Sequence, residues 1–206
     1  MIRHIFFDLD STLYSINYGL DKDFSERLKR YVSAWLNLPW EECAAMRDEK
    51  YGTALEWLIT DKSFADVDDY FANVHPENEA DSLLPDPELR FLLETLPCPF
   101  SILTNSPLFH AKRIINKLKV ADLFQNIFSI EYFNFHGKPN ASSYQKALDT
   151  LGLKPEEVLF VDDIPYYVDG YITMGGKGLL LDENDIHKNY PYEKIKNLKE
   201  IIRFLD

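Results

Sequence analysis

The sequence predicts an α/β fold, a parallel sheet with helices on both faces and a helical bundle inserted after the first strand. Three observations lead to it. The opening run Ile5-Phe6-Phe7 is apolar without polar alternation and ends abruptly at Asp8, as suits a strand buried on both faces. From Pro99 onward, short apolar runs alternate with segments of helical periodicity, the order expected of a parallel sheet. Between these two regions lies a stretch too long for one crossover and rich in helical periodicity, which reads as an insertion.

Phe24, Leu28, Tyr31, Val32, Trp35 and Leu36 recur at helical steps and mark the first inserted helix. Pro39 followed by Glu41 and Glu42 opens a second, with proline in the first turn and acids near the positive end of the helix dipole. Val67, Tyr70, Phe71 and Val74 mark a third. These stripes have to be buried against one another, so residues 16–84 are expected to form a small bundle, with 1–15 and 85–206 as the core domain. Leu84-Pro85-Asp86-Pro87 is the return point, where a helix cannot continue. A helix through Leu89, Leu92, Leu93 and Leu96 follows, then a strand over Pro99–Asn105. Ser106-Pro107 supplies a helix cap and first-turn proline ahead of Leu108, Ala111, Ile115 and Leu118. Strand Ile127–Ile130, a helix from Ser142 to Leu151 stopped by Gly152, strand Val158–Val161 and strand Gly178–Leu181 complete the alternation. A C-terminal amphipathic helix through Ile195, Leu198, Ile201 and Ile202 closes the chain.

A net charge of −12 disfavours nucleic-acid binding through a basic surface. It also means that any anionic substrate must be attracted locally, by a metal ion, a lysine or a helix N-terminus. Cys43 and Cys98 form no metal-ligand spacing, and the five histidines, His4, His75, His110, His136 and His187, form no zinc pattern. The first residues run straight into a strand without a basic and apolar leader, and no apolar run approaches a bilayer span. The expectation is a cytoplasmic protein that binds no membrane.

In a parallel sheet the ligand crevice lies beyond the carboxyl ends of the strands. Asp8 and Asp10 fall there, and residues two apart on extended chain point the same way. Two carboxylates sharing one volume raise each other's pKa unless a cation or a proton intervenes. That pairing suits a nucleophile beside a hard metal ion with a neighbour that trades protons. Thr104 and Asn105, Lys138, and Asp162 with Asp163 fall at the ends of later strands. Together they would gather a hydroxyl, an ammonium and further carboxylates on one edge, the requirements of metal-assisted phosphoryl transfer.

With these residues in place, the chain resembles the haloacid dehalogenase-like (HAD) hydrolase superfamily. The matching pieces are Asp8-Leu9-Asp10-Ser11-Thr12, Leu103-Thr104-Asn105, Gly137-Lys138-Pro139 and Phe160-Val161-Asp162-Asp163, in the family's order. The resemblance implies a Rossmann-like core with the insert as a C1 cap. It implies catalysis by Asp8 as nucleophile and Asp10 as proton donor and acceptor. Mg²⁺ would be held by Asp8, by Asp163 and by the backbone carbonyl of Asp10, and a phosphoryl group by Thr104, Asn105 and Lys138. A closer similarity, to the pyrimidine 5′-nucleotidase-like branch, is carried by Thr12-Leu13-Tyr14, Tyr51-Gly52-Thr53-Ala54-Leu55 and Leu84-Pro85-Asp86-Pro87-Glu88-Leu89-Arg90. One departure stands out: Ile164 and Tyr167 occupy places where related sequences carry a small residue and an Asn or Asp that helps orient the metal. Asp162 and Asp169 are the acids that could compensate.

The expected activity is therefore Mg²⁺-dependent hydrolysis of a small soluble phosphomonoester through an aspartyl-phosphate, with a pyrimidine nucleoside 5′-monophosphate as first substrate. Tyr14, Tyr18, Tyr51 and Trp57 are the candidates for stacking on a base. The alternatives are a sugar phosphatase, a phosphomutase, a dehalogenase and a protein that binds a phosphorylated ligand without turnover. Asp10 argues against dehalogenation, because a halide leaves without a proton.

Overall fold

The computed structural model describes residues 1–47 and 51–205; 48–50, within the expected insert, and 206 lie outside the described residues. Six strands form one sheet: β1 (His4–Phe7), β2 (Phe100–Leu103), β3 (Ile127–Phe128), β4 (Val158–Asp162), β5 (Lys177–Leu181) and β6 (Lys194–Ile195). Their order is β3-β2-β1-β4-β5-β6, and every neighbouring pair is parallel. The two strands that flank β1 come from distant parts of the chain, as the long insertion requires. Phe7 is level with both Ile102 and Val161, so β1, β2 and β4 end within one residue of the same height. Their next residues, Asp8, Leu103-Thr104 and Asp162, crowd one edge.

Alternation along β1 divides the core into two layers. Ile5, Phe7 and Leu9 face the side covered by α5 (Pro87–Thr95) and α6 (Leu108–Leu118), through Leu89, Leu93, Ala111, Ile114 and Leu118. Phe6 faces the side covered by α7 (Ala141–Leu151) and α8 (Pro165–Thr173), where it meets Tyr144, Ala147, Leu148 and Tyr171. All four residues of β1 are buried. A fully buried phenylalanine contributes about 1.5–3 kcal/mol, so so short a strand is held by both layers rather than by its ladder alone.

Local sequence sets the helix ends. The Asp86 side chain accepts from Leu89 N and caps α5, with Pro87 in its first turn. Gly152, at φ 64°, ends α7 in the left-handed conformation that glycine adopts without a Cβ penalty. The structure departs from expectation at the C-terminus. Ile195 pairs with Leu181 as an edge strand and accepts from Asp182 N, and Leu198–Phe204 form a 3₁₀ helix. Once Ile195 is committed to the sheet, the helical segment is cut to the seven residues Leu198–Phe204, too few for a stable α-helix on their own. Strands β2 and β3 are shorter than their apolar runs, because Pro99 precedes the ladder and Ser129 leaves it.

Between β1 and α5 lie α1 (Leu20–Leu36), α2 (Trp40–Met46), α3 (Ala54–Lys62) and α4 (Val67–Val74). Their apolar faces meet around Val32, Cys43, Leu55, Trp57, Leu58, Tyr70 and Val74, joined by Ile130 from the sheet side. Helix α3 goes beyond the three predicted helices. Its signal is Thr53, whose side chain caps the helix by accepting from Glu56 N. Leu20, Ala80 and Leu83, near the two ends of the insert, are buried with the sheet instead. Among the described residues, no helix is long and apolar enough to cross a membrane.

Helix α8 lies so close to β5 that a Cβ on Gly178 would come 2.6 Å from Val168 Cγ1 and 2.9 Å from Ile172 Cγ1. Gly178→Ala is expected to cost about 1–3 kcal/mol through overpacking, read in urea unfolding as a lower midpoint with unchanged slope.

Candidate active site

The buried end of β1 carries an ion triad. Lys138, fully buried, donates from Nζ to Asp8 Oδ1 at 2.6 Å and to Asp162 Oδ2 at 2.5 Å. Asp162 Oδ1 accepts from Ile164 N at 2.8 Å, so the backbone leaving β4 also holds that carboxylate. Asp8, Asp162 and Asp163 each offer a carboxylate oxygen within 4.8 Å of one another. With all three ionised, one ammonium leaves two negative charges uncompensated in a buried space. Burial pushes the Asp8 carboxyl well above the usual range, Lys138 opposing and Asp162 and Asp10 reinforcing the rise. Asp163 is raised as well, by burial and then by Asp162 and Asp8. A divalent cation with oxygen ligands fits this donor set and its charge.

Asp10, two residues on, belongs to a different network. Its Oδ1 accepts from Tyr14 Oη at 2.7 Å and from His110 Nε2 at 2.7 Å, and its Oδ2 accepts from Ser106 Oγ at 2.6 Å. Burial would raise its pKa, but the charge and hydrogen bond of His110, with Ser106 and Tyr14, hold it well below the ordinary carboxylate range. Asp8 and Asp10 thus share an edge and point into opposite environments, one braced by lysine and the other by histidine. The carboxylate that joins Asp8 and Asp163 is Asp162; the side chain of Asp10 is turned away, which leaves only its backbone for the metal side. Asp169, the other acid considered, accepts from Tyr190 Oη at 2.9 Å and takes no part.

Thr104 and Asn105 follow β2. Thr104 N donates to Phe128 O, and its Oγ1 accepts from Ser106 N at 3.0 Å, which leaves its hydroxyl proton for the cavity. Asn105 clamps the lysine loop from both sides: its Oδ1 accepts from Lys138 N at 2.8 Å and its Nδ2 donates to Lys138 O at 2.9 Å. A Cβ on Gly137 would lie 2.1 Å from that Oδ1, so only glycine fits there. The Lys138-Pro139 peptide is cis.

Ser106 differs from its predicted role. It does not cap α6; its hydroxyl is spent on Asp10, and the first N–H of the helix, at Leu108, donates to the Glu131 carboxylate at 3.0 and 3.1 Å. Tyr167, the departure from the family pattern, places its ring 5.0 Å from Lys138 Nζ. Its hydroxyl donates to Gly52 O at 3.2 Å. It therefore touches both Lys138 and the insert. At Gly52 itself a Cβ would lie 2.2 Å from Lys138 O, so the insert's backbone rests directly on the lysine loop. Glu56, buried, fastens the same corner by accepting from Gly52 N, Asn140 Nδ2 and His136.

Sequence spacing hid a second cluster. Glu79 takes His110 Nδ1 at 2.6 Å and Arg113 on Oε1, and His75 Nδ1 at 2.9 Å on Oε2, with Arg27 at 3.8 Å. Histidines far apart in the chain meet on one carboxylate, which no local pattern could reveal. A hint was present nonetheless: His110 interrupts an otherwise apolar helix face, four residues after Ser106.

A cavity of about 400 Å³ opens over Asp8, Asp10, Thr104, Asn105 and Asp163. Its outer wall is largely apolar, formed by Leu20, Phe24, Leu28, Leu55, Tyr70 and Phe71, with Arg47 at the rim. Of the four stacking candidates Tyr14 lines it, although its hydroxyl is engaged with Asp10. Trp57 is only 1% exposed within the helical cluster, Tyr51 donates to Asp61, and Tyr18 lies on the surface.

A parallel α/β sheet with an acidic, lysine-braced pocket at its carboxyl edge and an insert leaning over it defines a class of hydrolases. The chain belongs to the haloacid dehalogenase-like hydrolases, whose family profile matches residues 2–168. It is similar to glyceraldehyde 3-phosphate phosphatase of Methanocaldococcus jannaschii, at 24% identity over 230 aligned positions covering 100% of this chain and 99% of that protein. Hexitol phosphatase A of Escherichia coli is 27% identical over 166 residues, 77% of this chain and 73% of that one. Among solved structures, a HAD phosphatase from Thermococcus onnurineus superimposes with a TM-score of 0.67 at 19% identity, covering 99% of this chain and 98% of that chain.

The Glu79 cluster has a pH signature. Burial would raise the Glu79 carboxyl, but bonds from His110 and His75 win and lower it to about 2 from 4.5. Its contribution to stability is complete above the unfolded-state value and is lost as pH falls through the folded one. The difference in unfolding free energy between wild type and Glu79→Gln should therefore be largest above about pH 5 and shrink towards about pH 2, measured by urea unfolding across that range.

Proposed function

We propose that the protein is a Mg²⁺-dependent phosphomonoesterase. The observation that carries this reading is the separation of Asp8 and Asp10 into two networks, one with an ammonium beside the carboxylate, the other with donors that orient it. Asp8 is the nucleophile and Asp10 the proton carrier. Asp10 is ionised at rest, so the first proton arrives with the substrate monoanion, since the second ionisation of a phosphomonoester lies near pH 6. An Asp8 oxygen attacks phosphorus, the bond from phosphorus to the ester oxygen breaks, and Asp10 passes its proton to that oxygen. The alcohol leaves, and an acyl phosphate remains on Asp8. Water then attacks phosphorus, Asp10 takes its proton, and the bond to Asp8 breaks to release orthophosphate.

Thr104, Asn105 and Lys138 hold the phosphoryl oxygens and supply a local positive field that the chain as a whole lacks. Asp8 and Asp163 with the Asp10 carbonyl would hold Mg²⁺, which when bound supplies positive charge against the phosphoryl oxygens. Residues 16–84 act as a cap on the core of 1–15 and 85–206, excluding water and choosing the leaving group.

For the substrate, the apolar outer wall supports a leaving group with a flat, weakly polar face. A nucleoside 5′-monophosphate, pyrimidine first, meets that description better than a polyol. The sugar-phosphate reading is the second, favoured by the names of the Methanocaldococcus and Escherichia relatives.

Phosphate release with Mg²⁺ is expected from nucleoside 5′-monophosphates ahead of sugar phosphates, and Asp8→Asn should lower it by about 10³-fold or more. Release confined to sugar phosphates would replace the nucleotide assignment with the second reading. Mg²⁺ alone should also raise the melting temperature, by about 2–4 °C per kcal/mol of binding. In Asp163→Asn that rise should vanish, while the metal-free variant melts no lower than wild type, because one of three mutually repelling carboxylates is gone.

A further inference from the structure

His110 is buried, and both of its ring nitrogens face carboxylates: Nε2 lies 2.7 Å from Asp10 Oδ1 and Nδ1 lies 2.6 Å from Glu79 Oε1. Neither nitrogen is left to accept, so both donate. The ring cannot rotate without losing both bonds, and His75 crowds it, with ring centroids 4.5 Å apart. Glu79 is pinned in turn. Arg113 donates to it and to Pro76 O, and Arg27, on α1, lies 3.8 Å from it while donating from Nε to Val74 O at 2.8 Å. A rigid line therefore runs from the insert, through Glu79 and His110, to one oxygen of Asp10. Ser106 holds the other oxygen with a single hydroxyl, which leaves that oxygen with a lone pair open towards the cavity.

By composition His75, Glu79 and His110 could hold a metal ion. Two guanidinium groups already face the same carboxylate, and both histidine Nδ1 atoms are spent on it, so there is no negative charge left for a cation to neutralise. The cluster is built to orient rather than to ligate.

We infer that His110 is a positioning residue that aims Asp10 at the leaving-group oxygen, and that Glu79 sets its angle from the insert. This rests on the phosphomonoesterase reading. The contribution of a correctly placed proton donor grows as the leaving group becomes a worse anion, so loss of aim shows most on alkyl esters and least on nitrophenyl esters.

The test is a leaving-group series, from alkyl phosphates through phenyl to 4-nitrophenyl phosphate, with Mg²⁺, on wild type, Asp8→Asn, His110→Asn, His110→Gln and Glu79→Gln. In His110→Asn, whose amide can reach Glu79 but not Asp10, kcat on alkyl esters should fall about 10²-fold, with a loss about ten-fold smaller on the nitrophenyl ester and KM little affected. His110→Gln, whose longer amide can still donate to Asp10, should recover part of the alkyl activity. Glu79→Gln, which keeps an acceptor for Nδ1, should show the same slope more weakly, and it serves if a His110 variant does not fold. Independently of turnover, the proton spectrum should hold two downfield imidazole N–H resonances from His110, one displaced by Asp10→Asn and the other by Glu79→Gln. Equal losses across the series, or equal activity of the Asn and Gln variants, would overturn this inference while leaving the phosphomonoesterase reading intact. A wild type inactive towards every ester would overturn that reading, and the inference with it.

Discussion

The contact on which this structure depends is the buried ammonium of Lys138 between Asp8 and Asp162. Taking three charges out of water is costly, and a pair with one partner missing is costlier still. The lysine must therefore be delivered accurately, and much of the surrounding chain does that work. Asn105 grips its backbone on both sides, Gly137 makes room for that grip, Tyr167 lies against its ammonium, and Gly52 closes over its carbonyl. Strand register adds the rest, by ending β1 and β4 within one residue of the same height so that Asp8 and Asp162 meet the same ammonium.

A second consequence is that the two aspartates of one short motif live under opposite electrostatic rules. Burial presses on both. Asp8 shares its lysine with another carboxylate and is left short of positive charge, whereas Asp10 has two hydroxyls and one ring nitrogen of a histidine. The same side chain is thus held in two opposite electrostatic states by its neighbours. Proximity in sequence supplies the shared edge, and tertiary contacts supply the difference.

That division also marks what could be read from the chain. The parallel sheet, the insertion, and the gathering of Asp8, Thr104, Asn105, Asp162 and Asp163 were legible because each sits at the end of an apolar run, where sheet topology fixes its place; Lys138 lies in a loop well past β3 and was legible only through its resemblance to the family motif. Helix α3 was harder, since its buried face is nearly continuous and lacks a clear stripe. The tail misled because Ile195 satisfies helical spacing and an edge strand equally well. Ser106 looked like a cap, and only the third dimension shows Asp10 competing for its hydroxyl. Glu79 and His110 could not be paired from sequence at all: they lie 31 positions apart on different elements and meet only after the insert has folded back.

The insert touches the lysine loop chiefly through backbone, at Gly52, and through Glu56, which faces away from the cavity. Most of the residues that wall the outer pocket, among them Phe24, Leu28 and Phe71 but not Leu55, belong to helices other than that of Glu56 and take no part in those contacts. Fastening the insert and walling the cavity thereby fall largely to different side chains. Substitutions in the pocket wall can therefore change the shape of the cavity while the ion triad beneath it stays in register.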